Sequence, residues 1–227
     1  IEHTFRLHGG IGPAYPSIVA SGSNACILHY IENHRQIEDH DLLLIDAGCS
    51  YGYYNGDITR TFPVSGKFTG EQKAIYELVL EAQLTAIKSV QPGQPYNEFH
   101  DMAVCVLVQG LIDLGLLKGD LEEIIKEEKY KPFYMHRTGH WLGLDVHDVG
   151  VYKQGEENWL PLQPGHVLTV EPGIYIKPDI KPAEGQPEIP ERWRGIGIRI
   201  EDDILVTETG NEVLTSAVPK MIDDVVF

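Results

Sequence analysis

Cysteine is scarce: the 227-residue chain holds three, Cys26, Cys49 and Cys105, an odd number with no CxxC pair. That usage argues against a disulfide framework and a thiolate zinc site, and it favours a reducing, cytoplasmic setting. Long apolar runs are missing too. No stretch approaches the roughly 18 to 20 apolar residues of a membrane span, and the first residues lack the charged-then-apolar pattern of a signal segment, so no membrane partner is expected. Positive charge is also short: 18 Lys and Arg face 34 Asp and Glu, a formal charge of −16. Such a surface repels a phosphate backbone instead of releasing its counterions, which removes nucleic acid from the expected partners. Most of these acids read as a solvated surface. Those lodged inside apolar runs need another explanation.

What is present suffices for one large domain: 42% of the residues are hydrophobic and 23% charged. SIVASGSNACILHY (17–30) reads as extended structure broken at a Gly. LLLIDAG (42–48) and YYNGDITRTFPV (53–64), the latter with an Asn-Gly turn signal, read as strands of a small antiparallel sheet. Ile75, Leu78, Val79, Ala82, Ile87 and Val90 make a helical stripe ended by Pro92 and Gly93. A second helix is expected from Pro95 to about Gly115 and a short acidic one over DLEEIIKEEKY. Strands return in KPFYMH, in the histidine segment, in HVLTVEPGIYI (166–176) and in GIGIRIEDDILVT (195–207). Between the last two, KPDIKPAEGQPEIPERWR reads as an exposed loop. The second set of strands follows two helices whereas the first follows only IEHTFRLHGG. An internal repeat therefore predicts two helices ahead of Ile1, and the expectation is one domain, 1–227, truncated at its N-terminus.

Four acids sit inside the strand runs: Asp46 in LLLID, Asp57 in NGDITRTF, Glu171 in LTVEPG and Glu201 in IRIED. A buried, unpaired carboxylate is costly, and like charges held together raise one another's pKa unless a cation intervenes. Arg60 and Arg199 are the nearby candidates, but two arginines do not neutralise four acids. HRTGHWLGLDVHD (136–148) adds His136, His140 and His147 among Trp141, Leu142, Leu144 and Val146; Gly139 and Gly143 favour turn and strand there over helix. Four carboxylates and one neutral imidazole carry a charge that two divalent ions cancel. Carboxylate with imidazole suits Mn²⁺, Co²⁺, Fe²⁺ or Zn²⁺. Such a pair of ions, roughly 3.5 Å apart, supplies hydroxide from a bridging water at neutral pH, so the reaction class is hydrolysis.

IDAG, YNGDITRTF, HRTGHWLGLDVHD, LTVEPGIY and GIGIRIEDD, in this order and spacing, resemble the creatinase-like pita-bread metallopeptidases, and within them the proline-specific peptidases. The similarity runs from about Ser17 to Glu212. It implies an α+β fold of two pseudo-symmetric halves of antiparallel sheet with covering helices. It implies two divalent ions, Mn²⁺ first: Asp46 on one, His140 and Glu171 on the other, Asp57 and Glu201 bridging both. Glu171 becomes the proton carrier, His29, His136 and His147 contact substrate and the developing oxyanion, and Arg199 orients Asp46. Tyr175 is a candidate neighbour of the same carboxylates. Trp141 is a candidate wall for proline, although an aromatic at a sheet edge is ordinarily packing.

The implied activity is removal of an N-terminal residue from peptides with proline at the second position. CILHYIEN and HWLGLDVHDVGVY favour this over a proline dipeptidase, which shares the ligands, and over a methionine aminopeptidase. A non-catalytic peptide-binding module is the third reading, disfavoured because all five ligands are present. Members normally carry a further N-terminal domain, and the resemblance implies a dimer or tetramer at full length.

Overall fold

Period-two alternation of apolar residues forms short strands toward both ends of the chain, and two apolar stripes form the long helices between them. The computed structural model describes residues 1–226. In chain order these are α1 (Glu2–Leu7), β1 (Gly12–Pro13), β2 (Ile18–Ser21), β3 (Leu42–Asp46), β4 (Cys49–Tyr51), β5 (Tyr54–Asn55) and β6 (Thr59–Pro63). The helices α2 (Gly70–Ser89), α3 (Glu98–Asp113) and α4 (Leu121–Lys126) follow. After them come β7 (Lys153–Gln154), β8 (Asn158–Trp159), β9 (Val167–Val170), β10 (Gly173–Ile176), β11 (Ile196–Arg199), β12 (Asp202–Val206), β13 (Asn211–Val213) and α5 (Ile222–Val225). No described helix is long and apolar enough to cross a membrane.

The expected α+β arrangement is present. One antiparallel sheet has the order β2-β3-β6, the other β13-β12-β9, and β10 pairs with β11. Helix α2 begins with a capping box in which Thr69 and Gln72 satisfy each other's backbone N–H groups. It buries Ile75, Tyr76, Val79 and Ala82, packs against α3 and covers β9, β10 and β11. The close approach of the two helices falls at Gly110, where a Cβ would stand 2.2 Å from Leu78 Cδ1. The core fills the space between these helices and the sheets, with Ile174, Ile176, Ile198 and Ile200 almost completely buried.

Four local expectations change. The Asn-Gly pair is not a hairpin turn: β4 and β5 turn at Gly52 and Tyr53, both at positive φ, and Asn55 instead bonds to Gly143 O and, through Nδ2, to Leu144 O. Asp57 accordingly lies in the connection before β6, outside the strand. KPFYMH forms no strand; Phe133 and Tyr134 are core residues, and Tyr175 N donates to Phe133 O. The Pro- and Glu-rich segment is a loop, but Ile180, Ile189 and Trp193 anchor it in the core.

Most consequential, HVLTVEPGIYI and GIGIRIEDDILVT are each broken in two. The ladder β9–β12 ends with Val170 opposite Asp202, and β10–β11 resumes with Gly173 opposite Arg199. Pro172 has no N–H to continue the ladder. The chain bends there, and Glu171 and Glu201 lie at the two breaks.

The halves are joined by a buried polar network. Asp202, fully buried, takes Arg60 Nη2 at 2.8 Å and Lys220 Nζ at 2.6 Å, with further bonds from Gln83 and Thr215. Arg60 Nη1 also donates to Glu201 O, so β6 of the first half holds the break in the second. Burial opposes the Asp202 charge, but Arg60 and Lys220 prevail and hold its pKa below the usual carboxylate value. Asp202→Ala would leave the buried Arg60 and the half-buried Lys220 without their carboxylate and is expected to lower unfolding free energy by about 3 kcal/mol. Urea denaturation checks this: the midpoint falls at unchanged m-value, and an unshifted midpoint would contradict the assigned role.

Candidate metal centre

Every acidic site residue stands where regular structure stops. Asp46 ends β3, Asp57 precedes β6, and Glu171 and Glu201 occupy the breaks in the second half. His140 comes from a segment laid along the free edge of β9: Trp141 bridges Leu168, Thr169 N donates to His140 O and Glu171 N to Thr138 O. Gly139 makes the approach possible, because a Cβ there would lie 2.0 Å from Thr169 O. In the first half, Gly48 has the same function: its Cβ would fall 1.7 Å from Gly56 O, where the loops carrying Asp46 and Asp57 cross.

These residues line one pocket of about 650 Å³, together with His29, His136, His147 and Arg199. Asp46, Asp57 and Glu201 are buried, at 8, 5 and 2% exposure. One ligand atom each from Asp57, His140 and Glu201 lies within 4.8 Å of the others. His140 Nε2 is 3.4 Å from both Asp57 Oδ2 and Glu171 Oε1. Its Nδ1 is 2.9 Å from Trp141 O, which only accepts, so Nδ1 carries the proton and Nε2 faces the acids.

Burial raises the carboxyl pKa values of Asp46 and Glu201, and each is raised further by Asp57; Arg199 works against both shifts. Glu171 is pushed up to about 7, first by burial. For His140, burial opposes charge, but the hydrogen bond to Asp57 and the nearby Glu171 carry it up to about 9. The donor set fits a divalent cation: the proton that these acids draw onto Nε2 is the charge that an ion would replace.

Arg199 spans the site. It donates from Nη2 to Asp46 Oδ2 at 2.7 Å, from Nε to Thr59 Oγ1 at 3.0 Å and from Nη1 to Tyr175 Oη at 3.0 Å. Tyr175 thus bonds Arg199 and His136 Nε2, at 2.8 Å for the latter, where a contact with the carboxylates was the expectation. His136 Nδ1 donates to Arg137 O, and burial followed by Arg199 lowers its pKa to about 3, so both ring nitrogens of a neutral imidazole are engaged. His29 and His147 are more exposed in the pocket, and His147 stacks edge-on against His140 with centroids 4.3 Å apart. Trp141 is 8% exposed and packs among the buried Tyr96, Phe99 and Leu168, which is the packing alternative.

Four contributors are absent from the sequence reading. Tyr15 Oη reaches Oδ1 of both Asp46 and Asp57 at 2.5 Å. Thr59 and Thr169 hold Glu201 and Glu171, at 2.5 and 2.9 Å. Asp203 accepts from Asp57 N, and its other oxygen is buried without a hydrogen-bond partner. The two-residue step from Glu201 to Asp203 and the Thr two before Glu171 were available as face-sharing signals; nothing local marks Tyr15.

A profile of metallopeptidase family M24 matches residues 1–208. The Xaa-Pro aminopeptidases of Haemophilus influenzae and Escherichia coli are each 54% identical, over 99% of this chain and 50 and 49% of theirs. Among solved structures, Pseudomonas aeruginosa aminopeptidase PepP is similar with a TM-score of 0.94 and 56% identity, covering 99% of this chain and 49% of that one. Aminopeptidase P from E. coli with the inhibitor Pro-Leu gives 0.92 and 54%, again with 99 and 49% coverage. The chain spans about half the length of the curated relatives it matches.

Tyr15→Phe removes the donor shared by Asp46 and Asp57 while leaving the ring in place. The expected result is a folded protein whose Mn²⁺ affinity falls about ten-fold, the scale of outer partners at metal sites. Thermal melts over a Mn²⁺ titration read this directly, since an ion bound only by the folded state raises Tm with its concentration. Superimposable titrations would contradict it.

Proposed function

The chain belongs to metallopeptidase family M24, and from that premise we propose that it hydrolyses the bond between an N-terminal residue and a following proline. The observation that carries the reading is the convergence of Asp46, Asp57, His140, Glu171 and Glu201 on one pocket. These five would hold two divalent ions, Mn²⁺ in preference to Zn²⁺, Co²⁺ or Fe²⁺. When bound, the ions supply an activated water and polarise a carbonyl. The similarity to named Xaa-Pro aminopeptidases supports the substrate class.

The remaining work falls to the protein. Glu171 Oε1 is fixed by Thr169, which leaves Oε2 to take a proton from water and pass it to the departing imino nitrogen. Arg199 fixes Asp46 so that its charge and direction persist as substrate enters. His29 and His147, accessible in the pocket, would donate to the substrate carbonyl and its developing oxyanion. His136 lies beside them with both nitrogens engaged, so it would act with Tyr175 as a unit. Proline lacks an N–H, which defeats peptidases that grip an extended backbone; recognition through the carbonyl does not depend on that group.

Three free cysteines support a cytoplasmic setting. Exposed Tyr51, Tyr53 and Tyr54 support a dimer or tetramer in the whole protein, whose catalytic domain this chain would form.

Cleavage of Arg-Pro-Pro and Gly-Pro after Mn²⁺ addition tests the reading. The tripeptide is expected to be cut and the dipeptide left. Glu171→Gln is expected to lower kcat by about 10²- to 10⁴-fold with little change in stability. Cleavage of the dipeptide alone would indicate a proline dipeptidase, and silence on both with metal bound would indicate a binding module.

A further inference from the structure

The pocket has two chemically distinct ends. Its acids lie among the strand breaks, whereas Tyr96, Tyr152, Trp159, Arg137 and Lys153 also line it and carry no negative charge. Lys153 and Trp159 are direct cross-strand partners on β7 and β8, which places their side chains on one face. Lys153 Nζ lies 4.4 Å and Arg137 Cζ 5.0 Å from the centre of the Trp159 ring. The ring is held by the buried Tyr96, stacked at 6.2 Å, which also packs on Tyr152 at 4.8 Å.

Two cations on one indole repel each other, and a cation–π contact compensates only part of that cost. In a chain with 34 Asp and Glu against 18 Lys and Arg, a carboxylate between them would be the ordinary solution. None is there. Arg137 donates to Asn97 Oδ1 and Lys153 to Glu156 O, and among the described residues neither forms an ion pair. The counter-charge is left to whatever enters the pocket.

We propose that Arg137 and Lys153, seated on Trp159, form a subsite for a peptide carboxylate on the C-terminal side of the proline. The inference rests on the peptidase reading for the direction of the chain: the substrate's ammonium end is drawn to the acidic floor, and the residues after proline run toward the cations. Two sources carry the same chemistry, the α-carboxylate of a tripeptide and an acidic side chain at the third position. Both cations are exposed, so their effect is modest and weakens with salt.

Two substrate pairs separate the sources: Ala-Pro-Leu against its C-terminal amide, and Ala-Pro-Glu-amide against Ala-Pro-Gln-amide, each with Mn²⁺ at low salt. At least one acid member is expected to be preferred about five-fold in kcat/KM, through KM, the scale of an exposed charge pair. Preference in the first pair assigns the α-carboxylate, in the second the side chain. Arg137→Gln and Lys153→Gln should each bring the ratio toward one, while Lys73→Gln on α2 leaves it unchanged. The readout is a ratio within each protein, so a general loss of activity does not enter it. Calorimetry with the product-like Pro-Leu and its amide gives a second reading without turnover. If no peptide is cut, the peptidase reading fails, and a calorimetric preference for Pro-Leu that Lys153→Gln abolishes would still uphold the subsite. Ratios of one in both substrate pairs would overturn it, and so, if no peptide is cut, would equal calorimetric affinity for Pro-Leu and its amide.

Discussion

Four carboxylates drawn into one pocket demand a compensating positive charge, and the rest of the molecule follows from how that demand is met. Arg199 meets a quarter of it by pairing with Asp46. Arg60, the other arginine nearby, is committed to Asp202 and reaches the site through the backbone carbonyls of Thr59 and Glu201. The remaining excess shows at Glu201, whose pKa burial raises first and Asp57, Glu171 and Asp46 raise further, and in the proton drawn onto His140 against its burial. A divalent cation removes that excess with the very atoms that generate it.

Placing the acids required the fold to give up regularity at four points. A carboxylate in the middle of a ladder points into one face of a sheet and meets apolar neighbours; at a strand end or break it is released from that constraint. Pro172 enforces one break, and the joint between halves holds the opposite one, through Thr59 O accepting from Glu201 N and Thr61 exchanging bonds with Arg199. The placement of the carboxylates is therefore set by the seam between the two half-sheets. Stability and site precision depend on the same residues.

Much of this was legible in the sequence because it is local. Apolar periodicity marks α2 and α3, and acids lodged in strand-like runs mark Asp46, Asp57, Glu171 and Glu201. The His140 segment stands out by composition, and the five motifs together carry the family resemblance. What escaped is what depends on long-range contact. Tyr15 is an ordinary residue in GPAYPS until two carboxylates more than thirty positions away close on it. The Asn-Gly pair misleads because Gly56 is needed for a crossing with Gly48, and the true turn lies at Gly52 and Tyr53. Apolar runs such as HVLTVEPGIYI look continuous because their bend is fixed by proline and by partners across the sheet. The Trp159 cluster joins residues from three separate segments, each unremarkable alone.

The central proposal is that two divalent ions would neutralise the carboxylate excess. The most direct measurement is the metal content of the folded protein, by mass spectrometry after equilibrium dialysis against buffered Mn²⁺, for wild type and His140→Ala. The account predicts two ions per wild-type chain and fewer in the variant. A folded wild-type chain that retains no ion, or a variant that retains as many as wild type, would contradict it.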